Sequence, residues 1–151
     1  MKITALCLLA LLLTACGGDA SAGGSRDDGL KRRAKVAEVN LARIRDAVVK
    51  YHAARGETPM SVTHLEGFGG GESDLEPSDD YADIGYAFYS LKFGDTGKLS
   101  QGWFIATPVA KSGALQVRMN GLTGEYDYVA QDGEFGPAPS TLRPANDAGA
   151  E

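Results

Sequence analysis

The stretch that most constrains the fold is residues 30–55, where no proline and no glycine interrupts a periodic pattern of apolar side chains. Ala, Leu, Arg, Lys and Glu dominate it, and these residue types favour helix. Apolar residues recur at steps of three and four, which places them on one face of a helix, about 80° wide. This apolar stripe consists of Ala37, Leu41, Ile44, Val48 and Tyr51. Gly56 and Pro59 follow as stop signals, so we predict an amphipathic helix whose stripe covers another element.

Four segments between residues 84 and 129 have the residue types of β-strands. They span residues 84–93, 103–107, 115–119 and 125–129, and glycine-containing turns separate them. Short turns between closely spaced strands predict an antiparallel meander. In the first segment, strict alternation predicts one face with Tyr86, Phe88 and Ser90 and an opposite face with Tyr89, Leu91 and Phe93. The predicted fold class is α+β, with a long N-terminal amphipathic helix packed on a roughly four-stranded antiparallel sheet.

The first 15 residues have the composition of a secretory leader. Lys2 precedes an apolar run at residues 3–13, which is too short to span a hydrocarbon core that needs about 20 helical residues. The run ends in Leu13-Thr14-Ala15-Cys16. This tetrapeptide resembles the lipobox of bacterial lipoproteins, which implies that residues 1–15 are a signal peptide and that Cys16 is lipidated. An ordinary secretory leader cut after Ala15 is the alternative.

The resemblance to lipoproteins also implies a location. Gly17 occupies the position of the aspartate that retains enteric lipoproteins at the inner membrane. The implied location is therefore the outer membrane, with the folded part facing the periplasm or the cell surface. Covalent acyl chains on one cysteine give a durable anchor, since each buried CH₂ contributes about 0.8 kcal/mol. The membrane is accordingly a predicted partner, reached through acylated Cys16.

Composition divides the rest of the chain into three parts. Residues 16–29 are rich in Gly, Ser and Asp and are predicted to be a flexible tether. Residues 30–131 form the predicted folded domain, and residues 132–151, with three prolines, a predicted disordered tail. The only two cysteines are Cys7 and Cys16, so the folded domain has no thiol. This excludes a disulfide framework, a cysteine metal site and a cysteine nucleophile in that domain.

The charge distribution argues against nucleic acid as a partner, because the formal net charge is −5. Basic residues cluster only at the start of the predicted helix, at Lys31, Arg32, Arg33 and Lys35. One interpretation is a solvated helix end. The other is a weak attraction to anionic head groups, worth about 1 kcal/mol per charge near the surface.

No catalytic residues are predicted. The sequence has no phosphate-binding loop, serine-centred elbow or HExxH pattern, so we expect neither an enzyme nor a cofactor. His52 and His64 lack a partner at metal-ligand spacing and are interpreted as structural or surface residues. Trp103 and Phe104 are expected to pack on the helix, and the alternative is an exposed recognition patch.

Residues 66–83 form a glycine-rich acidic loop, hereafter the acidic loop. Its acids include the weak Ca²⁺-ligand candidates Glu72, Asp74, Asp79 and Asp80. Ca²⁺ takes six to eight oxygen ligands, but no stretch has the spacing of a Ca²⁺-binding helix-loop-helix. A solvated loop is therefore the first interpretation. A small-ligand or Ca²⁺-binding lipoprotein that uses this loop is the alternative function.

The order of helix, loop and short antiparallel sheet resembles type IV pilins and type II secretion pseudopilins. The matching positions at the helix end are Ile44, Ala47, Tyr51, Gly56, Pro59 and Leu65, and residues 102–108 and 121–124 resemble a sheet strand and closing turn of minor pilins. The prepilin-peptidase site, the early glutamate and the long apolar half-helix of pilins are missing. The resemblance implies a pilin-like domain on a lipid anchor, acting as a non-enzymatic accessory or interaction protein of a pilus or secretion system.

Overall fold

The computed structural model of the chain describes residues 23–136. Two helices precede four strands. The helices are α1 (Gly23–Arg33) and α2 (Lys35–Arg55), and the strands are β1 (Tyr86–Phe93), β2 (Leu99–Ala106), β3 (Gln116–Asn120) and β4 (Tyr126–Val129). Three short 3₁₀ turns lie between α2 and β1, at Val62–Leu65, Glu72–Asp74 and Asp83–Gly85.

The strands form one antiparallel sheet in the order β1-β2-β3-β4, as the meander prediction requires. In the register, Phe104 of β2 lies opposite Phe88 of β1 and Met119 of β3. These side chains define the inner face, which α2 covers. Ile105 lies opposite Ala87 and Arg118, and these define the outer face.

The prediction of one long N-terminal helix is wrong. The helix that packs on the sheet is α2, with 21 residues, and α1 is a separate helix of 11 residues. They meet at Ala34, whose ψ of −10° departs from the α-helical value. The reason lies in the sequence of α1, which carries three glycines and a run of charges and so has no apolar stripe to extend across the sheet. Within residues 23–136, the longest helix is therefore α2, with 21 residues.

The stripe on α2 is confirmed as the helical half of the core. Ala37, Leu41, Ile44 and Val48 are completely buried, and Tyr51 is half-buried. Facing them from the sheet are Phe104, Ala106, Val117 and Met119. The helix ends where the sequence predicts, because Gly56 adopts a left-handed φ of 70° and its N–H bonds to the carbonyl of His52.

The predicted alternation along β1 holds only for its first half. Ser90 has a φ of +56°, and the register with β2 shifts between Tyr89 and Lys92. This bulge inserts a residue and reverses the face of everything after it. Leu91 and Phe93 therefore pack on the core, not on the face of Tyr89.

The connection between α2 and β1 is held against the helix. Val62 and Leu65 are buried, whereas Met60 is 85% exposed. Asn40 of α2 binds the backbone of Glu76 twice, donating from Nδ2 to the carbonyl (2.9 Å) and accepting at Oδ1 from the N–H (2.8 Å). The acidic loop is thus attached to the buried side of α2.

Trp103 is buried, but not against the helix as predicted. It lies on the outer face under the guanidinium of Arg118, which stands 4.7 Å from the ring centroid. The same guanidinium also lies over the ring of Phe135, 4.7 Å from its centroid. Phe135 belongs to residues 130–136, hereafter the strap, which folds back over the outer face.

The predicted domain boundaries remain predictions. α1 begins at Gly23, inside the predicted tether, and the strap includes residues that the sequence assigns to the tail. The signal peptide, Cys16 and residues 137–151 lie outside the described residues.

Candidate functional site

One end of the sheet carries an apolar cleft of about 460 Å³, open to solvent. Ile84 stands at its mouth with 92% of its surface exposed, and Val109 is 41% exposed. The cleft is lined by Ala82, Ile84, Gly85, Ala87, Thr107, Pro108, Val109 and Ala110. A large aliphatic side chain that is almost wholly in water, beside a concave apolar wall, is a feature of docking surfaces.

Backbone hydrogen bonds hold the walls of the cleft in place. The N–H of Thr107 donates to the carbonyl of Gly85 (2.8 Å), and the N–H of Val109 donates to the carbonyl of Asp80 (2.7 Å). Gly85 is required at this point, because a Cβ there would collide with the carbonyl oxygen of Thr107. The cleft is therefore preformed between two segments that the sheet positions.

The acidic loop borders the cleft. Its exposed acids include Glu72, Asp74 and Asp79, and Ala82 at its end lines the cleft itself. Glu76 is paired with Arg43 at 2.8 Å. Asp79 is exposed three residues before Ala82, and the acidic loop that leads into the cleft contains no lysine or arginine. An excess of negative charge in this loop favours a positively charged partner.

Asp80 is engaged in a contact of its own. Its carboxylate accepts two hydrogen bonds from the guanidinium of Arg33, which also donates to the carbonyl of Ser112. The hydrogen bond and the charge of Asp80 raise the pKa of Arg33. This pair joins the end of α1 to the segment that forms the cleft wall.

The structure does not bring the four Ca²⁺ candidates together. Asp80 is paired with Arg33, and Asp74 accepts from the N–H of Gly71 at 3.2 Å within its own turn. Glu72 and Asp79 are exposed. Within residues 23–136 no group of three or more His, Cys, Asp and Glu side chains could hold a metal ion.

A buried carboxylate lies where α2 meets β4. Glu38 is buried and accepts a hydrogen bond from the hydroxyl of Tyr128 (2.8 Å), while the ammonium of Lys35 pairs with it at 2.5 Å. The hydroxyl of Tyr126 donates to the backbone carbonyl of Glu38 (3.1 Å). Burial and the bond to Glu38 raise the pKa of Tyr128, and burial near Glu38 raises that of Tyr126. Every strong acceptor here has a donor, so the cluster attaches the helix to the sheet.

Both histidines have structural contacts. The ring of His52 stacks on Phe93 with centroids 3.6 Å apart, and its Nδ1 lies 3.0 Å from the carbonyl of Glu57. The ring of His64 stacks beside Tyr51 at 6.3 Å, and its Nδ1 accepts from the N–H of Met60. These contacts agree with the structural role expected from the sequence.

Comparison with known proteins adds no family assignment. No protein-family model matches this chain, and no curated protein or solved structure matches it either. In the part of the chain that the structure describes, no helix is long and apolar enough to cross a membrane. The site is therefore interpreted from its own residues and geometry.

Sequence reasoning missed the cleft. Ile84 reads as the first residue of a buried strand, but β1 begins two residues later, at Tyr86. The available signal was its position directly after an acidic run and before a glycine, which is unusual for a core residue. Pro108 and Val109 follow β2 and gave no periodic pattern to interpret.

Proposed function

We propose that this chain is a lipid-anchored, non-enzymatic interaction protein of the bacterial cell envelope, and that its apolar cleft docks a partner protein. The observation that carries the docking site is the 92% exposure of Ile84 at the mouth of a preformed cleft. The anchor is supported by the lipobox-like sequence that ends in Cys16.

The chemistry of the cleft defines the partner. Small side chains and backbone line the concave wall. The cleft therefore has room for one or two apolar side chains of a partner, which would pack against Ile84 and Val109. The negative charge of the acidic loop that leads into the cleft favours lysine or arginine residues flanking those apolar side chains. We therefore propose an extended or loop segment with an apolar anchor and basic neighbours.

The likeness of residues 41–65 and 102–108 to pilins and pseudopilins supports a particular class of partner. We propose that the segment belongs to a component of a type IV pilus or a type II secretion system. The missing half-helix and peptidase site argue that this chain docks on such a machine and does not enter a filament core.

Crosslinking in the cell of origin tests this proposal with the full chain. Wild-type protein should capture a pilus or secretion component, and Ile84→Asp should reduce the yield at least about tenfold, since a charge buried against an apolar partner costs well over 1 kcal/mol. Met60→Asp is the matched control, because Met60 is comparably exposed but lies outside the cleft. It should capture the partner as well as wild type does.

Equal capture by Ile84→Asp and Met60→Asp would contradict the docking site. Capture of no pilus or secretion component would contradict the proposed class of partner. A large rise in melting temperature with Ca²⁺ would favour the Ca²⁺-binding alternative instead. The anchor is tested separately, by mass spectrometry of the mature N-terminus. An unmodified Cys16 would exclude it.

A further inference from the structure

The junction of α1 and α2 forms an open groove of about 800 Å³ whose charges the proposed function does not use. Its basic residues are Lys31, Arg32 and Lys35, and Asp28, Glu38 and Tyr128 complete the lining. We call this the basic groove. It contains three of the four residues in the basic cluster of the sequence, and it shares no lining residue with the apolar cleft.

The structure separates the four cations of that cluster by their partners. Arg33 is turned to Asp80, and Lys35 is paired with Glu38. Among the side chains that the structure describes, which begin at Asp28, Lys31 has no hydrogen-bond or ion-pair partner, and Arg32 donates only from Nε, to the carbonyl of Asp28 (3.2 Å). The ammonium of Lys31 and both Nη groups of Arg32 therefore remain available to a ligand.

The acids of the groove do not neutralise these two cations. Glu38 is buried and already accepts from Lys35 and Tyr128. Asp28 is exposed, and among the side chains that the structure describes it is the other acid of the groove. The free donors are ammonium and guanidinium groups, which bind phosphate oxygens through charge-assisted hydrogen bonds.

The position of the groove relative to the anchor selects the ligand. Gly23 lies seven residues after Cys16, and the chain between them reaches at most about 25 Å when extended. α1 adds about 16 Å. If Cys16 is acylated, as the proposed function requires, the groove always lies within about 40 Å of the bilayer surface.

We propose that the basic groove binds the phosphates of anionic lipid head groups in the membrane that holds the anchor. Tethering keeps the local concentration of head groups high, so a site with two free cations is sufficient. Binding there would orient the domain, because it adds a second point of attachment on one side of the molecule. The inference rests on the anchor of the proposed function, not on the cleft.

Lysine acetylation of the mature, lipidated full chain in vesicles measures this contact. Vesicles of phosphatidylcholine alone are compared with vesicles containing phosphatidylglycerol, and modification is measured by mass spectrometry. Lys31 should react about fivefold more slowly on the anionic vesicles, the factor expected for one surface charge. Lys50 is the internal control, since it is exposed and lies about 22 Å beyond Lys35 along α2. Its rate should not change.

Variants that leave Lys31 intact test the groove itself. Arg32→Gln should reduce the protection of Lys31 about fivefold, and Asp28→Asn should increase it, because the exposed counter-charge is removed. Arg55→Gln is the matched control, at the exposed far end of α2, and should leave the protection unchanged. Protection should also weaken as salt rises, since exposed charges are screened.

Each contrary result has a distinct meaning. Equal rates for Lys31 on both vesicles, with the protein floating on both, would overturn the head-group site and leave the anchor in place. Protection by inorganic phosphate on phosphatidylcholine vesicles, equal to that by phosphatidylglycerol, would assign the site to a free anion and overturn the lipid proposal. Failure to float on either vesicle would overturn the anchor of the proposed function and this inference with it.

Discussion

The two faces of the sheet bury their aromatic residues by different physical means. On the inner face, Phe104 is completely buried among aliphatic side chains of α2 and neighbouring strands. On the outer face, Trp103 is covered by the guanidinium of Arg118, which also contacts Phe135 of the strap. The two residues are adjacent in sequence and point in opposite directions, so the strand itself does not distinguish them.

The difference shows how a small sheet can protect both sides with a single helix. The inner face is stabilised by the hydrophobic effect, which scales with the apolar area removed from water. The outer face depends on a few specific contacts. Arg118 donates from Nη2 to Asp127 (2.8 Å) and from Nη1 to the carbonyl of Gly136 (3.1 Å), and Gln116 binds the carbonyls of Gln131 and Gly133. Because the outer face depends on a small number of contacts, one substitution can disrupt it more easily than it can disrupt the packed core.

The largest effect is expected on the inner face. Phe104→Ala should lower the free energy of unfolding by about 3–5 kcal/mol, because it leaves a cavity in the packed core between α2 and β2. Denaturant unfolding of the two proteins measures the difference. A loss below about 1 kcal/mol would show that α2 does not pack tightly on β2, and the contrast between the faces would disappear.

A smaller effect is expected on the outer face. Arg118→Ala should lower the free energy of unfolding by about 1–3 kcal/mol, since a desolvated guanidinium stacked on aromatic rings contributes up to about 2 kcal/mol. Trp103 is the only tryptophan, so its fluorescence should shift to longer wavelength as it becomes exposed. Asp127→Asn is the control, because that side chain is 54% exposed and the substitution keeps an oxygen that can accept from the guanidinium of Arg118. It should leave the emission unchanged, and a shift equal to that of Arg118→Ala would refute the stack.

The effect that is smallest near neutral pH concerns the buried tyrosine hydroxyls on the inner side. Burial raises the pKa of Tyr81 to about 12, with a further contribution from Asp80, and burial also raises that of Tyr128. Because the folded state holds these protons more tightly than the unfolded state, their stabilisation is complete below pH 10. It falls by at most about 1.4 kcal/mol per pH unit and per tyrosine as the pH rises from 10 towards 12.

Thermal melting between pH 8 and 12 measures this loss. Tyr81→Phe keeps the ring and removes the titrating group, and its hydroxyl bond to the carbonyl of Leu115 (2.7 Å) is lost at every pH. The variant should therefore be less stable than wild type at pH 8 and should lose less on going to pH 12. Parallel curves for the two proteins would show that the hydroxyl titrates normally.

Much of the fold followed from local pattern. The stripe from Ala37 to Val48, the stop at Gly56 and the four strands in meander order were predictable, because each depends on periodicity or turn chemistry within a few residues. The single long helix was not, because the change at Ala34 depends on what the preceding segment can cover. The reversal along β1 was not predictable either, since it depends on one bulge at Ser90.

The candidate sites depended less on local pattern. The basic cluster was visible in sequence, but its division into the paired Arg33 and the available Lys31 required the position of Asp80, 47 residues away from Arg33. The apolar cleft was invisible, because Ile84 and Val109 come from separate segments that only the sheet brings together. Sequence spacing carries no information on such pairs.

The sequence by itself determined the local patterns of apolar and polar residues. These are the stripe of α2, the alternation in the strands, and the lipobox-like leader that predicts an anchor at Cys16. Only the tertiary structure decided that Trp103 is buried away from the helix and that Ile84 remains in water. The physical reason is that the burial of a side chain depends on which residues, distant in sequence, pack against it. The guanidinium of Arg118, which the strap holds, covers the first residue, whereas the described side chains leave 92% of the second exposed.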